Sequence, residues 1–239
     1  DHLTGLLQFN QLNARRGFPK IYYPKDSGSF PAFSAFQNKF DPHVQGAIWT
    51  GIKDQDEIKI GKQMLVQAIR NNHILAEEGI SKSLSFKVLE LKRKVKPEFE
   101  QLSGEEKRQI ALSKGKEFLT HEVRRNIISY SGDSPVENDG RWDQSEILIH
   151  ESTFLSGESD REIEAKGNQH SRIEEVFQMV SEIEVGRLIL NHFSSRYTQS
   201  EIDQAIRSMC KKYLIQIPVF AIYPGKIHRD ILNQKPVNE

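Results

Sequence analysis

Three polar residues stand just past short apolar runs, and their types suit metal binding or proton transfer. Asp133 follows Ile127-Ile128-Ser129-Tyr130, His150 follows Ile147-Leu148-Ile149, and His192 follows Leu188-Ile189-Leu190. A buried strand fixes its backbone, and the residue beyond its end faces the cleft outside the sheet, where α/β proteins place ligands. One such residue alone reads as a hydrogen-bonded loop residue, whereas three at three strand ends point to a site. Neutral imidazole and carboxylate are usual nitrogen and oxygen ligands of zinc, and an aspartate can bridge two divalent ions. The chain's one cysteine, Cys210, lies at none of these positions, so the candidate set is His/Asp only. That composition suits a hydrolytic zinc or manganese centre. It excludes an internal disulfide framework and a multi-cysteine zinc site.

The elements that must position these residues follow from periodicity and turn chemistry. Residues 3–13 have apolar positions at helical spacing, and 21–23 read as a short strand. Residues 24–46, rich in Pro, Gly, Ser and Phe, read as a long loop. Within it Phe30, Phe33, Phe36 and Phe40 recur at 3–4 spacing, which suggests a core or dimer-contact stripe. Segments 47–50, 57–60, 64–70 and 84–91 read as strands. A charged helical stretch is expected from 92 to 115, with Ser103 and Glu106 as a capping box. Further strands are expected at 126–131, 146–150, 187–190 and 215–223. Helices are expected at 173–183 and 200–213, the second capped by Ser200. A strand-rich first half and an alternating second half give a layered α/β fold with mixed sheets.

The 239 residues fit one domain, taken as 1–239. Lys+Arg and Asp+Glu both number 33, so the net charge gives no argument for a nucleic-acid or membrane surface. Hydrophobic residues make up 37%, and mean hydropathy is -0.58, as in a polar-surfaced globule. No window carries the roughly 18 apolar residues of a membrane span, and no membrane partner is expected. A single cysteine is compatible with a reducing compartment. His43, His121 and His228 read as surface residues.

Four segments occur together in a telling order: Ser131-Gly132-Asp133-Ser134, His150-Glu151-Ser152-Thr153-Phe154, His170-Ser171, and Asn191-His192-Phe193-Ser194-Ser195-Arg196-Tyr197. In that order they resemble the ribonuclease Z branch of the metallo-β-lactamase superfamily. The opening Asp1-His2-Leu3-Thr4-Gly5-Leu6 resembles the end of that superfamily's H-x-H-x-D-H signature, and Asn72-His73 with 81–87 resembles its next histidine motif. The H-E-S-T-F and H-F-S-S-R-Y pieces are the specific ones, while S-G-D alone is weak.

The resemblance implies an αββα sandwich of two mixed sheets holding two divalent metals, zinc first and manganese as an alternative. Asp1 and His2 would ligate the second metal, His73 the first, Asp133 both, and His192 the second. Asp1, Glu151 and His170 would be the catalytic side chains, with Glu151 orienting His170 and His170 protonating the leaving oxygen. The implied activity is endonucleolytic removal of the 3′ trailer of precursor tRNA, by a cytoplasmic homodimer. The alternatives are a hydrolase of small phosphodiesters or other esters, and a metal-deficient binding homologue.

Two departures shape the expectations. The two leading histidines of the signature are missing, so the sequence is expected to be N-terminally incomplete and, beginning at Asp1, a poor catalyst. In place of the family's Gly-Pro-rich tRNA arm stands a charged insertion, 92–125. From 87 to 125 there are 11 Lys/Arg against 7 Asp/Glu, an excess that could meet phosphates. The third residue of the family's H-S-T-like motif is here Arg172.

Overall fold

The structure is a computed structural model and describes residues 20–40, 47–137, 140–155 and 169–239. The described chain opens with β1 (Lys20–Pro24), α1 (Ser29–Phe40) and β2 (Ile48–Ile52), and β1 pairs with β2 in parallel as a two-stranded sheet. A seven-stranded mixed sheet follows. Its spatial order is β3 (Glu57–Lys59), β4 (Met64–Arg70), β5 (Leu84–Val95), β6 (Thr120–Tyr130), β7 (Ser145–Glu151), β8 (Val185–Asn191) and β9 (Val219–Ala221). Neighbours from β3 to β6 are antiparallel, and those from β6 to β9 are parallel.

Parallel strands are joined by crossovers, and here two of those crossovers are helices. α4 (Ile173–Ser181) lies between β7 and β8 in the chain, and α5 (Gln199–Lys212) between β8 and β9. α4 buries Ile173, Val176, Phe177, Met179 and Val180, and α5 buries Ile202, Ile206 and Cys210. These residues join Trp142, Leu148, Leu188, Leu190 and Val219 in one apolar core. Leu148 and His150 of β7 and Leu188 to Leu190 of β8 are buried, while Ile147 and Ile149 on the other face of β7 are half-buried. A smaller cluster of Ile52, Ala68 and Leu84 packs the end of β2 onto β4 and β5.

This topology brings the strand ends together. β6, β7 and β8 run the same way, and their register pairs Tyr130 with Ile149 and Glu151 with Asn191. The segments after all three strands therefore leave the sheet along one edge.

Several sequence expectations change in the fold. The 3–13 helix lies outside the described residues. Residues 24–46 are not one loop, because α1 occupies 29–40. Pro31 sits in its first turn, where a missing N–H breaks no helical bond. Phe30 stacks on Tyr23 with ring centroids 5.7 Å apart, and Phe33 meets Trp49 at 6.3 Å. Phe36 and Phe40 instead touch each other at 4.9 Å and stay exposed, so the stripe is no core.

Residues 92–95 continue β5 rather than starting a helix, pairing with 120–123 of β6. Their charges are solvated on a two-stranded ribbon, which composition alone does not distinguish from a solvated helix. The ribbon is closed by a 3-10 turn at Pro97–Phe99, then α2 (Gly104–Lys114) and α3 (Lys116–Leu119). The Ser103–Glu106 capping box is present at α2. α5 is capped by Thr198 rather than Ser200, with Thr198 N–H donating to the Glu201 carboxylate at 2.7 Å. The last strand shrinks to Val219–Ala221. Leu214 adopts φ 55 and Ile215 N–H still bonds back to Cys210, so the chain spends 214–218 leaving the helix.

Replacement of the fully buried Phe177 by alanine should lower the unfolding free energy by about 3–5 kcal/mol, measured by urea denaturation. Leu112→Ala, at a side chain 72% exposed, should change it by less than about 0.5 kcal/mol. Equal effects at the two positions would contradict the placement of the core under α4.

Candidate functional site

The turn after β6 is built to turn the chain toward the cleft. Gly132 has φ +60, and a Cβ there would stand 3.3 Å from the Leu84 carbonyl oxygen. A side chain would meet both the left-handed backbone and a close neighbour. The segment after β4 is tied to the same turn. Asn71 Nδ2 donates to the Ser131 carbonyl at 3.1 Å, while Asn71 Oδ1 accepts from His73 N–H at 3.2 Å. Asn71 thereby bridges sixty positions of sequence to Ser131 and carries His73 to the end of β6. After β8, His192 itself adopts φ 58. For a residue with a Cβ this conformation costs roughly 1–2 kcal/mol, and strain of this kind collects at functional sites.

Glu151, at the end of β7, is fully buried. Its Oε1 accepts from Ser134 N–H and from His170 Nδ1, both at 2.7 Å. Its Oε2 accepts from the Thr153 hydroxyl at 2.5 Å and from the N–H groups of Thr153 and Ser171 at 3.2 Å each. Burial by itself raises this carboxyl's pKa. The bond and charge of His170, with the bonds from Thr153 and Ser134, outweigh burial and hold it below the ordinary value of 4.5.

His170 is the centre of the aromatic group. Its ring stacks on His192 at 5.2 Å and meets His73 edge-on at 4.7 Å. On the far side, His192 Nε2 stands 3.4 Å from Asp133 Oδ2, with both side chains close to half exposed. His73, Asp133, His170, His192 and Glu151 thus share one cleft. Asp1 and His2 lie outside the described residues.

The hydrogen bonds decide which nitrogens can ligate. His73 Nδ1 faces the Gln169 carbonyl at 2.9 Å, so it carries the hydrogen and leaves Nε2 as the lone-pair atom. Ligating histidines are usually held in this way by their other nitrogen. Glu151, His170 and His192 bring one N or O each within 4.8 Å of one another, as metal ligands do. The five donors already on Glu151 assign it another task, which is holding His170. Asp133 Oδ2 stands beside His192 Nε2, and the His73 ring meets that of His170, so His73 and Asp133 border this group. A carboxylate oxygen beside an imidazole nitrogen suits a divalent cation, so the residues present fit a metal.

His150 does not join them. Its side chain lies in the core, with its ring 6.4 Å from Trp142, and its Nδ1 meets the Glu151 carbonyl at 2.8 Å. Strand alternation explains this. His150 and Glu151 are consecutive, so one faces the helices and the other the cleft. Burial pushes the His150 pKa below its ordinary value of 6.5. His121 is exposed on β6, and His228 accepts from Tyr223 N–H at 3.2 Å. His43 lies outside the described residues. Arg172 precedes α4 as its N-cap, with its N–H bonded to Glu175.

Two contributors escaped the sequence reading. Asn71 had no signal beyond standing next to the Asn72-His73 pair. Thr153 was visible inside H-E-S-T-F but carried no assigned role. Its hydroxyl also lies 2.9 Å from His192 Nδ1.

Comparison with known proteins agrees with the motif order. The chain is 29% identical over 164 residues to a tRNase Z of Arabidopsis thaliana, covering 66% of this chain and 55% of that protein. It is 30% identical over 96 residues to a ribonuclease Z of Staphylococcus saprophyticus, covering 39% of this chain and 30% of that protein. A ribonuclease Z of Macrococcus caseolyticus is 33% identical over 99 residues, covering 41% of this chain and 31% of that protein. The chain therefore spans about half of the plant relative and under a third of the bacterial ones. No protein-family model matches it. Among solved structures, the metallo-β-lactamase fold protein YhfI of Bacillus subtilis superimposes with a TM-score of 0.56 at 12% identity, covering 96% of this chain and 73% of that one. The chain has the metallo-β-lactamase fold, and its sequence is similar to ribonucleases Z.

Two steps of acid sensitivity are expected. His150 is buried neutral with a lowered pKa, so its contribution is complete above about 6.5 and declines as pH falls below that value. Glu151 has a lowered carboxyl pKa, so its contribution is present above about 4.5 and is lost as pH falls through the lower folded value. Denaturation followed from pH 7 to pH 3 should show that Glu151→Gln keeps the first decline and loses part of the second. An unchanged acid limb in that variant would argue against an ionised Glu151.

Proposed function

We propose that this chain, with its metallo-β-lactamase fold and its similarity to ribonucleases Z, is a metal-dependent phosphodiesterase that removes the 3′ trailer of precursor tRNA. The observation that carries the reading is the Glu151–His170 pair at 2.7 Å, standing beside His192 and Asp133 in the same cleft. A buried carboxylate bonded to one nitrogen of an imidazole fixes its tautomer and raises its basicity, which readies the other nitrogen for proton transfer.

His73, Asp133 and His192, joined by Asp1 and His2, would hold two divalent ions, with zinc favoured by the imidazole-rich set and manganese the alternative. Bound there, such ions lower the pKa of water toward neutrality and offset charge developing on a phosphoryl group. The chain's own residues supply the rest. Glu151 retains the Nδ1 hydrogen of His170, so the transferable proton of the imidazolium is on Nε2. Delivered to the departing 3′ oxygen, it lets that oxygen leave as a hydroxyl. Asp133, next to His192, is the carboxylate assigned to both ions. Asp1 belongs to the catalytic set by the same resemblance.

A small phosphodiester is the second reading, and one observation favours it. Along the β5–β6 ribbon, Arg124 pairs with Glu57 and Glu122, and Arg125 pairs with Glu90 and Glu146. Arginines already paired with carboxylates on their own sheet hold RNA phosphates less strongly. The homodimer and the cytoplasmic location belong to this proposal by the same resemblance.

Turnover on a precursor tRNA should exceed that on a generic phosphodiester such as bis(p-nitrophenyl) phosphate. His170→Ala should lower turnover on the RNA by about 10²–10⁴ with the thermal transition retained. Asp133→Ala should abolish cleavage and reduce the bound metal found by elemental analysis. Faster turnover on the small ester, with the RNA uncut, would replace the first reading by the second.

A further inference from the structure

The Thr153 hydroxyl stands where three functional side chains meet. Oγ1 is 2.5 Å from Glu151 Oε2, 2.9 Å from His192 Nδ1 and 3.3 Å from His170 Nδ1. A hydroxyl has one proton to donate and two lone pairs to offer. An ionised carboxylate can only accept, so the proton goes to Glu151, across the shortest of the three contacts. His170 Nδ1 is already held by Glu151 Oε1 at 2.7 Å. His192 is therefore left with a lone pair of Oγ1, and its Nδ1 must carry a hydrogen to meet it. The lone pair of that ring is then on Nε2, the atom 3.4 Å from Asp133 Oδ2.

We propose that Thr153 is a positioning residue that sets the tautomer of His192. It takes its orientation from Glu151 and imposes the Nδ1–H form on His192, so one buried carboxylate prepares both the proton-carrying imidazole and the ligating one. The inference rests on the reading of His192 as a metal ligand. It also explains how the left-handed backbone at His192 is put to use, since the strained residue presents Nδ1 to Thr153 and Nε2 to Asp133 together. Without the hydroxyl, Nδ1 has no acceptor at that place. The hydrogen then moves to Nε2 and bonds to Asp133, and an incoming metal must displace it.

The test uses the metal-free chain labelled with ¹⁵N at histidine, and zinc as the only ligand. The unsubstituted protein should show His192 in the Nδ1–H form. Thr153→Val, close to threonine in shape, should shift it to the Nε2–H form and weaken zinc binding about tenfold or more. Thr153→Ser keeps the hydroxyl and should retain both properties. An Nε2–H signal for His192 in the unsubstituted protein overturns the proposal, whether or not the valine variant folds. So does a valine variant with unaltered tautomer and zinc affinity. Neither readout involves RNA, so failure of the tRNA reading and failure of this one are separately visible.

Discussion

A carboxylate removed from water at the end of a parallel strand organises this site. The cost of burying such an ion is several kcal/mol, and it is met here by five donors on the two oxygens of Glu151. Those donors come from residues 134, 153, 170 and 171, on three separate segments. Each segment is held because the carboxylate needs its N–H or side chain. The requirement of one charge for solvation thus becomes a constraint on the shape of the cleft. It fixes the loop carrying Asp133, the turn after β7 and the entry to α4 in a single arrangement.

The sheet supplies the edge at which this happens. β6, β7 and β8 are parallel and in register, so their ends lie side by side. The helical core on the other side keeps them there: Leu148, Leu188, Leu190, Ile173, Phe177 and Ile202 are fully buried. The two tasks are separated by strand alternation. His150 looks into the apolar core, and Glu151, one residue on, looks into the cleft. Conformational cost is also borne at this edge, where Gly132 and His192 both have positive φ. A glycine relieves that cost in the first case. In the second, the imidazole has contacts on both sides.

The ribbon of β5 and β6 shows the opposite economy. It extends beyond the core, and its long charged side chains pair along β5, across β5 and β6, and with residues of β3 and β7. Exposed pairs of this kind contribute little to stability. They do determine what the surface can attract, because a paired arginine has less field to offer a phosphate.

Much of this was determined by the sequence alone. The apolar runs before Asp133, His150 and His192 read as buried strands with polar residues past their ends. The order of the S-G-D, H-E-S-T-F, H-S and H-F-S-S-R-Y segments matched the ribonuclease Z likeness and the fold. The stripe of α4 and the box at Ser103 were legible because each is a contact between residues a few positions apart. What needed the tertiary structure was every choice that depends on a distant partner. Whether His150 or Glu151 faces the cleft depends on which side of the sheet the helices cover. Whether 92–95 is strand or helix depends on 120–123 being available to pair. That Asn71 carries His73 to the Ser131 turn, and that Thr153 links Glu151 to His192, follow from contacts spanning 60 and 39 positions. Local patterns record how a segment buries its own surface, whereas a tautomer or a ligand geometry is set by groups that only folding brings within hydrogen-bonding distance.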